Sequence, residues 1–195
     1  MNKNRLYRFA ALPLSVYLLL GTVSPSMAFT LPQAPEGYSW QQIKDLKAAV
    51  LRPDGWLFES NDSGGRYQYM LTKNKGHSLN DASDGTSLTI VVRRQPVGEG
   101  DARLAPSRLS AALFAEISNN RVLERTQSAV QGPFETIRYQ YVDDSGPVRE
   151  YSLLVANDAT GTLYIFTFLA PVAEWEEDWQ TISLVLDRIF LDDEI

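Results

Sequence analysis

The sequence predicts an α/β/α sandwich, an α+β fold in which helices cover both faces of a mainly antiparallel sheet. Two segments repeat apolar residues at helical spacing, one in the middle of the chain and one near its end. Short alternating segments separated by turn residues predict several hairpin strands. One late segment is apolar almost throughout, which is typical of a strand that is buried on both faces.

The first 28 residues have the pattern of a secretory signal peptide. The segment begins with three basic residues: Lys3, Arg5 and Arg8. An apolar run at 9–23 follows, and small residues end the segment at Ala28. The run is interrupted by Pro13 and is shorter than the roughly 20 residues that span a membrane. We therefore expect cleavage after Ala28, a periplasmic or secreted protein, and no membrane insertion once the signal is removed.

The composition narrows the domain organisation and the class of partner. A net charge of −6 argues against nucleic acid and anionic membranes, because both require a dense basic surface. The absence of cysteine excludes thiol catalysis, thiolate metal sites, disulfides and an acylated N-terminal cysteine. We expect a flexible leader at 29–37, where Pro32 and Pro35 interrupt any periodicity, and a single domain at 38–195.

A short helix is predicted at the start of this domain. Ser39 and Gln42 have the spacing of a capping box, and apolar residues recur at helical intervals through Leu46. Four strands are then predicted, at 48–51, as a return strand from Trp56, at 67–72 and at 87–94. The first two are separated by a turn, because Pro53 fixes φ and Gly55 permits a positive φ.

The second half of the domain is predicted to contain a helix at 106–119, a strand at 122–128 and a hairpin. The helix is indicated by apolar residues on one face: Leu109, Ala112, Leu113 and Ile117. The hairpin strands, 135–142 and 148–156, flank a five-residue loop. Pairing them about that loop places two apolar sets on one face: Ile137, Tyr139 and Tyr141 with Tyr151, Leu153 and Val155. The opposite face then carries the polar residues Arg138, Gln140, Glu150 and Ser152.

The last two elements are the apolar strand at 163–169 and a terminal helix. The helix is indicated by apolar residues at i, i+4, i+7, i+11 and i+14: Trp175, Trp179, Ile182, Leu186 and Ile189. Acidic residues crowd its first turn, where they complement the helix dipole. All four tryptophans fall on core-facing periodicities, which favours packing over ligand stacking.

The sequence carries no recognisable catalytic constellation, cofactor motif or metal motif. His77 is the only histidine, and no Gly-x-Ser-x-Gly nucleophile elbow accompanies it. The polar loop at 73–86 superficially resembles a calcium loop, but Ala82 and Val91 occupy ligand positions of the EF-hand register. If the loop binds a small ligand or cation, the candidate residues are Lys73, His77, Asp81 and Asp84.

Three segments give a family resemblance: Ala49-Val50-Leu51-Arg52-Pro53-Asp54-Gly55-Trp56, Tyr69-Met70-Leu71-Thr72-Lys73 and Gly85-Thr86-Ser87-Leu88-Thr89-Ile90. Their order, followed by a helix, strands and a Trp-bearing terminal helix, resembles PsbP-like domains. The resemblance implies an α/β/α sandwich shared with a photosystem II subunit, a Ran-binding nuclear import factor and bacterial effector chaperones. Those relatives bind or assemble other proteins and share no enzyme activity.

The resulting hypothesis is an exported, non-enzymatic protein that binds a protein partner or assists assembly of an envelope complex. This hypothesis depends on a fold-level analogy for its function. One alternative is a small-ligand or cation-binding periplasmic protein that uses the 73–86 loop. Another is a carboxylate-dependent hydrolase, for which no particular pair of acidic residues stands out.

Overall fold

The computed structural model describes residues 31–43, 48–63, 66–74, 85–94, 104–143 and 147–191, which all belong to one compact unit. Ten strands and two helices lie in these ranges. The strands are β1 (Tyr38–Ile43), β2 (Ala48–Pro53), β3 (Leu57–Ser63), β4 (Arg66–Thr72), β5 (Ser87–Arg94), β6 (Arg125–Gln131), β7 (Phe134–Val142), β8 (Val148–Asn157), β9 (Thr162–Pro171) and β10 (Phe190–Leu191). The helices are α1 (Pro106–Asn120) and α2 (Trp175–Asp187).

Seven of these strands form one antiparallel sheet in the order β3-β4-β5-β9-β8-β7-β6. Helix α1 packs on β7, β8 and β9 from one side, which we call the α1 face. Helix α2 packs on β9 from the other side, the α2 face, together with a small antiparallel sheet of order β1-β2-β10. The predicted sandwich with helices on both faces is therefore confirmed.

Strand β9 occupies the middle of the large sheet, as its nearly continuous apolar sequence predicts. On the α2 face, Phe166 and Phe168 are fully buried in the larger apolar cluster. On the α1 face, Ile165 packs against a smaller cluster that includes Leu154 and Tyr139. A strand with apolar contacts on both faces must have cover on both, and the two helices supply it.

Each helix attaches through the face that its sequence predicts, with one exception. In α2, Trp175, Ile182 and Leu186 are buried against the large sheet and β2. In α1, the contacts to the smaller cluster come from Leu113, Phe114 and Ile117, whereas Ala112, placed on the apolar face by periodicity, is exposed.

The start of α1 is held to the sheet by the turn between β8 and β9. The backbone N–H of Ser107 donates to Asp158 Oδ1 at 2.8 Å, and its hydroxyl donates to Oδ2 at 2.6 Å. A carboxylate at a helix N-terminus satisfies an otherwise unpaired backbone donor and complements the helix dipole.

The predicted first helix is wrong, because the segment forms strand β1. Tyr38–Ile43 pairs antiparallel with β2 along all six residues. Tyr38 and Trp40 both pack on the larger cluster, and their separation of two residues suits a strand. Short apolar segments of this kind do not distinguish the two periodicities, so pairing with β2 decides the structure. Residues ahead of β1 also make contacts: Ala34 packs on the cluster, and Trp40 Nε1 donates to the Pro32 carbonyl at 2.6 Å.

The predicted turn at Pro53 is confirmed, but the return strand does not pair with the strand before it. Gly55 has a φ of 80°, as the turn requires. Strand β3, which starts at Leu57, pairs with β4 in the large sheet, whereas β2 belongs to the small sheet. The turn therefore carries the chain from one sheet to the other.

The β7–β8 hairpin is confirmed, but its predicted register is wrong by one residue. The prediction placed Tyr139 and Tyr141 on the same face as Tyr151, Leu153 and Val155. Instead Val142 lies opposite Arg149 and Tyr139 opposite Ser152, and the Asp143 N–H donates to the Val148 carbonyl at 2.9 Å. A one-residue shift moves every side chain of one strand to the other face. The α1 face carries Ile137, Tyr139 and Tyr141 with Leu154, Ser152 and Glu150. The α2 face carries Thr136, Arg138 and Gln140 with Val155, Leu153 and Tyr151.

Strand β6 also begins later than predicted, at Arg125 instead of Val122, and it continues to Gln131. A two-residue turn at Gly132 and Pro133 leads directly into β7. Strand β6 is the edge strand on one side of the large sheet, and all of its residues are exposed.

A pair of valine substitutions tests this assignment of core and surface. Val92 on β5 is fully buried on the α2 face, whereas Val122, after α1, is 87% exposed. We expect Val92→Ala to lower the free energy of unfolding by roughly 2 kcal/mol, from lost burial and the cavity left behind. Val122→Ala should change it by less than about 0.5 kcal/mol. Urea denaturation measures both, and equal effects would contradict the described core.

Candidate functional site

Of the four binding residues predicted in the 73–86 loop, the structure describes Lys73. His77, Asp81 and Asp84 lie outside the described residues, so their role stays a prediction. Lys73 Nζ lies 2.8 Å from Asp178 Oδ1 and 3.0 Å from Glu174 Oε2, at the start of α2. Lys73, the one predicted binding residue that the structure describes, is thus paired with acidic residues of the same chain.

The ion pairs of Lys73 belong to a polar cluster that anchors α2. Asp178 is buried, with 4% exposure, and its second carboxylate oxygen accepts the Thr86 hydroxyl at 2.5 Å. The Thr86 carbonyl accepts the Thr72 hydroxyl at 3.0 Å. Burial acts to lower the pKa of Lys73, but hydrogen bonds and charges from Asp178 and Glu174 raise it above 10.5. Lys73 therefore stays protonated at neutral pH and fixes the ends of β4 and β5 to α2.

The described ranges offer no obvious metal centre or membrane span. Within them, no three His, Asp or Glu side chains come close enough together to hold a metal ion. None of the helices in these ranges is long and apolar enough to cross a membrane.

A depression of the described surface lies on the α2 face, between α2 and the β6–β7 hairpin. It consists of two adjoining cavities of about 520 and 320 Å³, which share Arg138 as a lining residue. We call this depression the Arg138 groove. Its floor is the α2-facing side of β7 and β8, with Gln140 and Tyr151 in the larger cavity and Leu153 and Val155 in the smaller.

Two aromatic side chains form the wall of the larger cavity beside α2. The rings of Tyr151 and Trp179 are 4.7 Å apart between centroids, and Trp179 stacks on the buried Trp175 at 5.5 Å. The other side of the cavity is β6, through Arg125 and Gln127. The groove therefore joins a rigid aromatic wall to an exposed polar strand.

Of the charged side chains that line the groove, Arg125 and Arg138 have guanidinium groups that are available to another molecule. At one end, Glu124 accepts hydrogen bonds from Gln140 Nε2 at 2.7 Å and Arg149 Nη2 at 3.3 Å. Neither Arg125 nor Arg138 forms an ion pair with another described residue. Arg138 instead lies within hydrogen-bonding reach of Tyr151.

Tyr151 stays neutral under physiological conditions. Its burial raises the pKa of the phenol, an effect that the nearby Arg138 partly opposes and Asp187 reinforces. The groove thus presents guanidinium, phenol and amide donors beside apolar surface, a set suited to carboxylates attached to an apolar chain.

A second polar cluster lies on the α1 face, and the predicted register concealed it. Glu150 accepts the Tyr141 hydroxyl at 2.6 Å and the Ser152 hydroxyl at 2.9 Å. Burial raises the pKa of Glu150 above 4.5, although both hydroxyl hydrogen bonds lower it. Burial also raises the pKa of Tyr141, assisted by its hydrogen bond to Glu150. The Arg121 guanidinium lies over the Tyr141 ring, 5.7 Å from its centre.

Neither the Arg138 groove nor the Glu150 cluster is predicted from the sequence. Arg138 and Gln140 alternate with tyrosines in β7, which is the visible signal for a polar face. The one-residue error in register placed Glu150 beside Arg138 instead of beside Tyr141, so neither site could be assembled.

The Asp178 cluster predicts a large structural effect for one of the acidic residues of α2. Asp178→Ala leaves Lys73 and the buried Thr86 hydroxyl without their shared partner. We expect the free energy of unfolding to fall by about 2–3 kcal/mol, the cost of unpaired buried polar groups. Glu176→Ala removes an exposed acid from the same turn and should cost less than about 1 kcal/mol. Similar losses in urea denaturation would show that Asp178 acts only through the helix dipole.

The Glu150 cluster predicts a pH dependence of stability. Because the pKa of Glu150 is raised in the folded state, the folded protein binds more protons than the unfolded chain, so this group lowers stability as pH rises from about 4.5. Glu150→Gln removes this effect. Unfolding free energies measured from pH 4.5 to 7.5 should therefore shift in favour of the variant as pH rises.

Glu135→Gln is the matched control, since Glu135 lies on the same face but is exposed. It should show no such trend relative to the unaltered protein. A constant difference between Glu150→Gln and the unaltered protein across this range would contradict the raised pKa.

The fold is similar to the solution structure of cyanobacterial PsbP (CyanoP) from Synechocystis sp. PCC 6803. The TM-score is 0.50 at 14% sequence identity, and the match covers 83% of this chain and 99% of that one. No protein-family model and no curated protein matches the sequence. At this identity the likeness carries the fold alone, and it confirms the PsbP-like architecture that the sequence resemblance implied.

Proposed function

We propose that this chain is an exported, non-enzymatic protein that binds a protein partner through the Arg138 groove and assists assembly of an envelope complex. The observation that carries the proposal is the pair of guanidinium groups, Arg125 and Arg138, which lack ion pairs among the described residues. In a chain of net charge −6, acidic side chains are abundant, yet none of those described forms an ion pair with either arginine.

The groove chemistry favours an acidic polypeptide segment as the occupant. Arginine, tyrosine and tryptophan are the residues that contribute most to protein interfaces, and Arg138, Tyr151 and Trp179 lie together here. A guanidinium binds a carboxylate through two parallel hydrogen bonds, whereas the aromatic wall packs against apolar atoms of the same segment. The adjoining cavities, of about 520 and 320 Å³, share Arg138, so a bound segment could contact both.

Export and the partner class are supported by separate observations. The basic and apolar pattern of residues 1–28 supports export through a cleaved signal. The contacts of Lys73 do not favour the alternative in which the 73–86 loop binds a small ligand, because both of its ion pairs are with acidic residues of the same chain. The PsbP-like fold supports a binding role by analogy.

Site-specific photocrosslinking in the cells that export the protein tests the proposal. A benzophenone amino acid replaces Gln127, which is exposed and lines the groove, and a second version replaces Ser118, which is exposed on α1. We expect one stoichiometric adduct with a protein other than this chain from position 127 and none from position 118, with the partner identified by mass spectrometry.

Charge reversal then assigns the adduct to the groove. Arg138→Glu should lower its yield at least tenfold, because the acidic segment is repelled. Arg108→Glu, an equal charge change at an exposed position of α1, should leave the yield unchanged. No adduct at position 127, or equal yields from both variants, would contradict the proposal.

A further inference from the structure

Strand β6 is an open edge of the large sheet. It ends the strand order on one side, and all seven residues are exposed. From Thr126 to Gln131 it carries no charge, whereas β3 at the opposite edge contains Glu59 and Asp62. Soluble proteins ordinarily place charges or proline on an edge strand to prevent pairing with another chain. Residues 126–131 have neither.

The turn after β6 determines which backbone groups point away from the sheet. Gly132 has a φ of 58° and Pro133 a fixed negative φ, the combination found in type II′ turns. In such a two-residue hairpin the flanking residues, Gln131 and Phe134, exchange backbone hydrogen bonds. By alternation, the odd-numbered residues of β6 direct their backbone groups toward β7.

A side-chain contact agrees with this alternation. The Thr136 hydroxyl of β7 donates to the Ala129 carbonyl at 3.2 Å, so this odd-numbered carbonyl lies on the β7 side. The N–H and C=O groups of Thr126, Ser128 and Val130 therefore point outward, where a further strand would meet them.

We infer that β6 pairs antiparallel with β6 of a second copy of this chain, about a twofold axis at Ser128. The backbone groups that point outward belong to even-numbered residues. An axis at Ser128 pairs these groups with one another and pairs all seven residues of both strands. It places Ser128 opposite Ser128, Thr126 opposite Val130, and Arg125 opposite Gln131. No like charges meet, because Arg125 is the only charged residue of the strand.

The dimer goes beyond the proposed function and has a consequence for it. Residues opposite each other in paired strands lie on the same face, so both α2 faces lie on one side of a continuous sheet. The two Arg138 grooves then flank the shared β6 pair and face the same direction. A partner with two acidic segments would bind both grooves, with a gain in affinity from the second contact.

Removal of one outward backbone donor tests the pairing. Ser128→Pro deletes the central N–H without removing a hydrogen bond to β7, and edge strands tolerate proline in this position. Ser128→Ala changes only the side chain. In sedimentation equilibrium of the purified chain, the unaltered protein and Ser128→Ala should reach twice the chain mass with rising concentration. Ser128→Pro should weaken this association at least tenfold.

A pair of double variants tests the register and also provides a test of the dimer if the proline variant does not fold. Thr126→Lys with Val130→Lys places lysine opposite lysine twice in the dimer and should abolish association. Thr126→Glu with Val130→Lys places opposite charges in the same two positions and should retain it. Circular dichroism and thermal melting confirm the fold of each variant.

The dimer register places Gln127 opposite Ala129 of the second copy, so an adduct of this chain with itself at position 127 reports the dimer. Only an adduct with a different protein reports a partner in the groove. A dimer that responds to these variants supports the inference even if no partner is captured at the groove. A single-chain mass up to several hundred micromolar, or equal association of the two double variants, would overturn it.

Discussion

The antiparallel ladder around β9 is the constraint on which the other features depend. β9 is apolar toward both faces, so the sheet is stable only with cover on each side. Helix α1 covers one face, and α2 with the small sheet covers the other. Because α2 packs on β9 and its first turn is tied to β4 and β5 through Asp178, it leaves the α2-facing side of β6, and part of that side of β7, uncovered. The Arg138 groove is the space that results.

The same arrangement separates two kinds of polar chemistry. Charges near the middle of the fold are paired internally: Lys73 with Asp178, and Glu150 with the hydroxyls of Tyr141 and Ser152. Toward the β6 edge, Arg125 and Arg138 have no acidic partner in the described part of the chain. Paired polar groups stabilise the fold, whereas the unpaired guanidinium groups are available to another molecule.

Local patterns predicted most of the fold, and long-range pairing decided the rest. Both helices, the central strand and the β7–β8 hairpin have clear periodicity and were predicted. The segment at Tyr38 was misread because its short apolar pattern suits either period, and only pairing with β2 makes it a strand. The predicted register of the hairpin is wrong because both faces of β8 carry apolar residues, so hydrophobicity does not select which face of β8 lies beside the tyrosines of β7. That single shift concealed the groove and the Glu150 cluster, since each combines residues from two strands.

Amide hydrogen exchange by NMR tests the central claim most directly, because it reports on the strand order itself. We expect the slowest exchange in β9, at Phe166 and its neighbours. In β6, exchange should be fast at Thr126, Ser128 and Val130 in dilute solution and slower at Gln127 and Ala129 between them. Exchange in β9 as fast as in β6, or no alternation along β6, would contradict the described sheet.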